Sequence, residues 1–504
     1  MTTYTKIPMG KNPTITVDAD YVIAPITPLT YGGFTEHMGR CIYGGIYDPG
    51  NSLSDANGFR TDVIEALKEL KTPVVRYPGG NFVATYHWLD GVGPKEHRPK
   101  RPELAWQGVE SNQFGTDEFM QWCELVGAEP YLCLNFGTGT LDEALGWLEY
   151  CNSSADTYYA NLRRKNGREN PYNVKYWALG NEVWGPWQVL QSTPSAYSHQ
   201  AYQWAKALKL QDPSIKLILC GKDGLSSWDH QVLKECVKVD AHGLNGDLTR
   251  SLIDMHSIHL YTASQDYVAN IVAPRAAERA IQITSGLIDL ARIENGVSPS
   301  VPKQKICFDE WNVWDPVRAP GELGAEEKYT LSDALAVAVW LNVFIRQAAH
   351  IGMATIAQSV NVISPLMTSP TGIHKQMTWW PLKLFSEHMR GDSLAVHVCA
   401  PAYEGSTTPA WIRAATDTPW LDVSAARDDD GFTNLAVVNV SPDEDFQTVM
   451  NVREGYMRSF TLTAEGMGSV AKEDGIDPIK HDTWYAKGQI EYLFPRHSLT
   501  ILKF

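Results

Sequence analysis

Eight apolar runs recur along the first three-quarters of the chain, beginning near residues 29, 73, 130, 174, 216, 255, 305 and 354, with helical stretches between them. This rhythm constrains the fold more than any other feature. Parallel strands need a crossover connection, usually a helix, so a repeated strand–helix alternation implies a parallel sheet. Eight such units within roughly 360 residues predict an α/β fold, a closed (β/α)8 TIM barrel with loop insertions. A doubly wound open sheet is the structural alternative. It is the weaker one, because no glycine-rich nucleotide-binding turn follows the first run. The intervening helices are read from spacing: residues 55–70 bring Val63, Ile64, Leu67 and Leu70 to one face, and residues 116–126 carry Asp117 and Glu118 in their first turn.

From about Gly391 the rhythm changes to short alternating strands near 395–400, 421–425, 435–440, 459–463 and 498–503. Asp428-Asp429-Asp430-Gly431 between two of them is a hairpin turn signal. The reading is a C-terminal, jelly-roll-like β-sandwich that also takes an N-terminal strand, since residues 12–24 alternate without a helix after them. The expected domains are 1–25, joining the sandwich; 26–390, the barrel; and 391–504, the sandwich.

The net charge of −15 argues against nucleic acid and anionic membrane surfaces. No apolar run has the length of a membrane span, and residues 1–10 lack the apolar core of a signal peptide. The 8 cysteines show no paired spacing, and Cys133, Cys220 and Cys307 fall within apolar runs, as reduced core residues do. A cytoplasmic location is the expectation.

Two of the apolar runs end in a carboxylate beside Asn and Trp. One is Trp177-Ala178-Leu179-Gly180-Asn181-Glu182-Val183-Trp184; the other is Lys305-Ile306-Cys307-Phe308-Asp309-Glu310-Trp311-Asn312. A strand-end Glu is costly unless it is solvated, paired or catalytic. Two of them, ringed by aromatics, are what glycoside hydrolysis needs. The carboxyl ends of barrel strands share one mouth, and there they would join Glu36, Arg76, Asn81, Asn135, His259, Tyr261, Trp311, Gln358 and Asn361. Plainer roles compete at each position. Glu36 and Arg76 suit a structural ion pair, Asn81 and Asn135 suit turns, and His259 and Tyr261 suit strand-end packing. Trp106, on a polar loop spanning 91–115, suits a lid or a mere lattice contact. With neither a His-x-x-x-His nor a cysteine pair near the ring, no metal is expected.

The motifs together resemble the α-L-arabinofuranosidases of glycoside hydrolase family 51, one of the barrel glycosidases of clan A. They are Gly33-Phe34-Thr35-Glu36-His37-Met38-Gly39-Arg40-Cys41-Ile42-Tyr43, Arg76-Tyr77-Pro78-Gly79-Gly80-Asn81-Phe82, Gly180-Asn181-Glu182, Asp309-Glu310-Trp311-Asn312 and Gln358-Ser359-Val360-Asn361. Tyr77 departs from the pattern, where Trp is common. The resemblance implies a retaining, exo-acting enzyme that releases terminal arabinofuranose from arabinan- or arabinoxylan-derived oligosaccharides. It implies Glu182 as acid/base and Glu310 as nucleophile. Glu36, Arg76, Asn81, Asn181, Tyr261 and Gln358 would hold the sugar or orient the carboxylates, with Trp106 as a loop aromatic at the site. It also implies no cofactor and a homo-oligomer, a hexamer. Another retaining clan A glycosidase (an endoglucanase, a β-xylosidase or a β-galactosidase) and a non-catalytic carbohydrate-binding protein are the rival readings.

Overall fold

The computed structural model describes residues 2–239, 251–315, 325–472 and 477–504. Eight parallel strands close into a barrel. In chain order they are Gly32–Phe34, Val74–Tyr77, Glu129–Cys133, Tyr176–Leu179, Lys216–Leu219, Met255–Thr262, Lys305–Val313 and Ile351–Ile356. The eighth strand pairs with the first, Thr355 against Gly32 and Ile356 against Gly33. The seam depends on glycine, since a Cβ on Gly32 would lie 2.7 Å from the Ala354 carbonyl oxygen.

Side chains alternate along each strand. Val74, Tyr131, Cys133, Tyr176, Ala178, Ile218, Met255, Cys307 and Met353 pack together inside the barrel, which is therefore filled. Val75, Leu132, Trp177, Leu217, Ile306 and Phe308 join the larger core between strands and helices.

The first strand is shorter than its apolar run, because Pro28–Tyr31 forms a 3-10 turn capped by the Thr27 side chain. The helix expected from residue 55 starts at Thr61. The polar loop at 91–115 contains a small hairpin, Arg101–Glu103 against Gly108–Glu110, with Trp106 at its tip. Strands this short leave no readable alternation. All eight cysteines are free and seven are buried. Among the described residues no helix is long and apolar enough to cross a membrane.

Ten strands form one continuous second sheet. Thr14–Pro25 lies antiparallel to Asp392–Ala400, and Thr3–Lys6 runs parallel to the same strand. Residues from both ends of the sheet, Met457 and Phe494 among them, share one core with Ile15, Val396 and Leu435, so the sheet folds over itself as a sandwich. The helix Leu331–Arg346 is apolar on nearly every side because it is covered on nearly every side, by the barrel and by the sandwich strand Leu421–Arg427. At its end the Arg346 guanidinium donates to Glu278 at 2.9 Å and to Asp422 at 2.8 Å, and Arg275 pairs with Asp422 at 3.1 Å. This buried ionic cluster locks the sandwich against the barrel.

Candidate active site

The chemistry begins with an irregularity in the seventh strand. Against the sixth strand, Ser257 pairs with Cys307 but His259 pairs with Glu310, so the seventh strand holds one extra residue. A bulge of this kind re-aims side chains. Cys307 points inward and Phe308 outward. Asp309 and Glu310 then both turn into the barrel, and Trp311 turns out again.

Arg76, on the second strand and 1% exposed, sits between these two carboxylates. Its Nη1 donates to Glu310 Oε1 at 2.6 Å, its Nη2 donates to Asn181 Oδ1 at 2.6 Å, and its Nε lies 3.4 Å from Asp309 Oδ2. Tyr261 donates its hydroxyl to the other Glu310 oxygen at 2.8 Å. Burial and the charge of Glu310 hold the Tyr261 hydroxyl far above its usual value, so it stays a donor. Both Glu310 oxygens therefore accept hydrogen bonds.

Glu182 follows the fourth strand through Gly180, where φ is +86°, and itself adopts φ +40°. That left-handed conformation is strained for a side chain, at a cost of roughly 1 kcal/mol or more. Its Oε1 meets His259 Nδ1 at 3.0 Å, and its Oε2 accepts the Trp187 indole N–H at 3.2 Å. One oxygen of Glu182, one of Glu310 and a nitrogen of His259 all lie within 4.8 Å of one another.

Burial lowers the affinity of His259 for a proton, but the charges of Glu310 and Asp309, with hydrogen bonds to Asp309 and Glu182, push it up to about 10. Both ring nitrogens then carry hydrogens at neutral pH. Asp309 is held well below the usual carboxylate range: burial pushes it up, but Arg76, His259 and Ser257 outweigh that.

Glu36 closes one side of the cavity. It accepts the Phe82 backbone N–H at 3.1 Å, the Trp106 indole at 3.2 Å and the Gln358 amide at 3.0 Å. Burial first, then the charge of Glu310, push its carboxyl up to about 8, against these donors and Arg76. A Cβ on Gly80 would lie 2.9 Å from a Glu36 oxygen, which explains the Gly-Gly before Asn81. The cavity is about 490 Å3 and is lined by Glu36, Asn81, Trp106, Glu182, His259, Tyr261, Glu310 and Gln358, with Trp184, Trp187, Lys222 and Trp314.

The structure thus brings together Glu36, Arg76, Asn81, Trp106, Asn181, Glu182, His259, Tyr261, Glu310 and Gln358. Among the described residues, the buried side-chain N–H of Asn181 has no partner. Trp311 does not belong to the site. It packs outside the barrel against Trp340 and Phe344, with ring centres 5.5 and 5.1 Å away, because strand alternation after the bulge sends it outward. Gln358 lies beyond the end of the eighth strand, not within it. Asn135 is a turn residue whose side chain bonds the Gly137 N–H and the Tyr86 carbonyl, and Asn361 binds Arg40 and Thr368. Sequence reasoning assigned no role to Asp309, Trp184, Trp187, Lys222 or Trp314. Asp309 carried a signal, a charge inside an apolar strand; the others lie on irregular loops.

Comparison with known proteins gives one answer. The family model described as alpha-L-arabinofuranosidase 1 domain matches residues 66–279, and that of the alpha-L-arabinofuranosidase C-terminal domain matches residues 309–498. The chain is 64% identical over its whole length to a probable alpha-L-arabinofuranosidase C of Aspergillus fumigatus, covering 99% of that protein. It is 37% identical to an intracellular exo-alpha-(1->5)-L-arabinofuranosidase of Halalkalibacterium halodurans, over 82% of this chain and 81% of the relative. Among solved structures it resembles the thermostable GH51 alpha-L-arabinofuranosidase of Thermotoga petrophila RKU-1, with a TM-score of 0.87, 37% identity, and coverage of 98% of this chain and 100% of that one.

Proposed function

We propose the reaction from one premise: the chain belongs to the α-L-arabinofuranosidases of glycoside hydrolase family 51. The activity is retaining, exo-acting hydrolysis of terminal α-L-arabinofuranosides. The observation that carries the mechanism is the separation of Glu182 and Glu310, whose oxygens approach within 4.8 Å. Retaining glycosidases place their carboxyls about 5 Å apart, whereas inverting ones leave room for a water between them at about 6.5 Å or more.

Glu310 is the nucleophile, held in place by hydrogen bonds from Arg76 and Tyr261. It attacks the anomeric carbon while Glu182 gives a proton to the departing oxygen. Glu182 then takes a proton from water, which cleaves the glycosyl ester. Glu36, Asn81, Asn181 and Gln358 offer donors and acceptors to the ring hydroxyls. Trp187 touches Glu182, so the leaving sugar passes over the Trp187 and Trp184 faces, which meet edge-on with ring centres 5.3 Å apart.

Arabinan- and arabinoxylan-derived oligosaccharides are the substrates this reading supports, and product analysis on both sets separates them. The intracellular relative supports a cytoplasmic location, which fractionation of the source cells tests. The family resemblance supports a hexamer, and light scattering giving a monomer mass at micromolar protein would refute it.

The roles themselves are tested with azide. Glu182→Ala loses most activity on oligosaccharides, whose alcohol leaving groups need a proton, but keeps the first step on a nitrophenyl arabinofuranoside. Azide then raises turnover and gives the arabinosyl azide of retained configuration. Glu310→Ala fails on both substrates by several orders of magnitude, and any azide product is inverted. The reverse pattern of configurations would overturn the assignment.

A further inference from the structure

The roles above leave one buried carboxylate unused. Asp309 is 1% exposed and lies beneath the cavity rather than in its lining. Three other strands converge on it. Tyr131 donates to its Oδ2 at 2.7 Å, and the Arg76 Nε lies 3.4 Å from the same oxygen. The Ser257 hydroxyl donates to Oδ1, and His259 Nε2 lies 3.1 Å from it. An ionised carboxylate only accepts, so Nε2 must carry a hydrogen. That contact orients the ring, whose Nδ1 then lies 3.0 Å from Glu182 Oε1 and 3.6 Å from Glu310 Oε2.

Resting on the roles assigned to Glu182 and Glu310, we propose that Asp309 is a positioning residue of the reaction: by fixing His259 through Nε2 it turns Nδ1–H onto Oε1 of Glu182 and leaves Oε2 as the oxygen that carries the transferred proton. Oε2 faces the indole of Trp187, which is 55% exposed, and so faces the leaving-group side.

The groups facing His259 are Glu182 from the fourth strand end, Asp309 and Glu310 from the seventh strand, and Arg76 from the second. Tyr261 is on its own strand, Glu36 stands across the cavity, and the Lys222 carbonyl accepts its backbone N–H at 2.8 Å. The raised proton affinity of His259 agrees with this setting. Without the charge on residue 309, neutral His259 with its hydrogen on Nε2 would present a bare Nδ1 to Glu182. The acid would then place its proton on Oε1, away from the substrate.

Asp309→Asn tests this by a ratio. kcat/KM covers only the steps through glycosyl-enzyme formation. It is measured on an arabinofuranosyl disaccharide, which needs the acid, and on arabinofuranosyl fluoride, which needs it far less. The disaccharide value falls about tenfold to hundredfold further than the fluoride value, a part of the roughly hundredfold or more that general acid catalysis supplies. Its pH profile moves as well. An equal loss on both substrates with an unchanged pH profile overturns the proposal. Glu182→Ala is run alongside: if it too loses both equally, the role of Glu182 fails, and if it alone is selective, only the role of Asp309 fails. A folding defect in Asp309→Asn is bypassed by nitrogen-15 histidine NMR of the unmodified enzyme, with His259 assigned by its absence in His259→Gln. Hydrogens on both ring nitrogens at pH 8 are expected, and a bare Nδ1 overturns the proposal.

Discussion

Replacing Glu36 by Gln exposes a conflict between stability and function. The carboxyl is buried beside Glu310, and its proton affinity rises from the ordinary 4.5 to about 8. Between those values the folded protein holds a proton that the unfolded chain has lost. Folded molecules then bind more protons than unfolded ones, so stability falls as pH rises. At about 1.4 kcal/mol per pH unit, Glu36 removes about 3 kcal/mol of stability between pH 5 and pH 8. Gln does not titrate, so the variant escapes that loss. Its amide faces the Gln358 donor, a cost that does not depend on pH and so drops out of the slope. The assay is urea unfolding of both proteins at several pH values, read as the difference between them. That difference shifts in favour of Glu36→Gln by about 3 kcal/mol from pH 5 to pH 8, while the variant loses affinity for substrate. A difference flat across this range would show that Glu36 is already ionised at pH 5, and would refute the burial argument.

Two further outcomes follow from the geometry. Trp187→Ala removes the face over which the leaving sugar passes, so kcat/KM on oligosaccharides falls roughly tenfold, as expected for about 1–2 kcal/mol of aromatic contact. Its effect on arabinofuranosyl fluoride, which has no leaving sugar to stack, is small, and equal losses on both would count against that role. At the barrel–sandwich contact, burial raises the Glu278 carboxyl, but Arg346 and Arg275 outweigh it and bring it down to about 2. Its stabilising contribution, about 3 kcal/mol, is present above pH 4.5 and lost as pH falls toward 2. Glu278→Gln therefore unfolds at lower urea near pH 7 and shows a shallower acid transition, and an unchanged acid transition would contradict this.

Most of the barrel was legible because its signal is repeated. Each strand is short, but eight apolar runs at similar spacing leave few other arrangements, and the carboxyl-end rule then gathers Glu36, Arg76, Glu182, Tyr261 and Glu310 without any knowledge of contacts. What could not be read is whatever depends on a local departure from period two. The bulge at Asp309 is the clearest case. Strict alternation would send Asp309 in and Glu310 out, and would bring Trp311 into the mouth. One extra residue brings both acids inward and turns Trp311 into core. The same departure adds Glu310 to the inward face beside Asp309, so the feature hidden from the sequence is the one that brings the catalytic carboxylates together. The hairpin carrying Trp106 was hidden for a different reason. Its strands are three residues each, and Glu110, which receives His37 at 2.8 Å and Tyr43 at 2.5 Å, holds it through side chains distant in sequence. Local pattern places the elements of this protein. The site is completed by a break in that pattern and by buried side-chain bonds, and neither leaves a periodic trace.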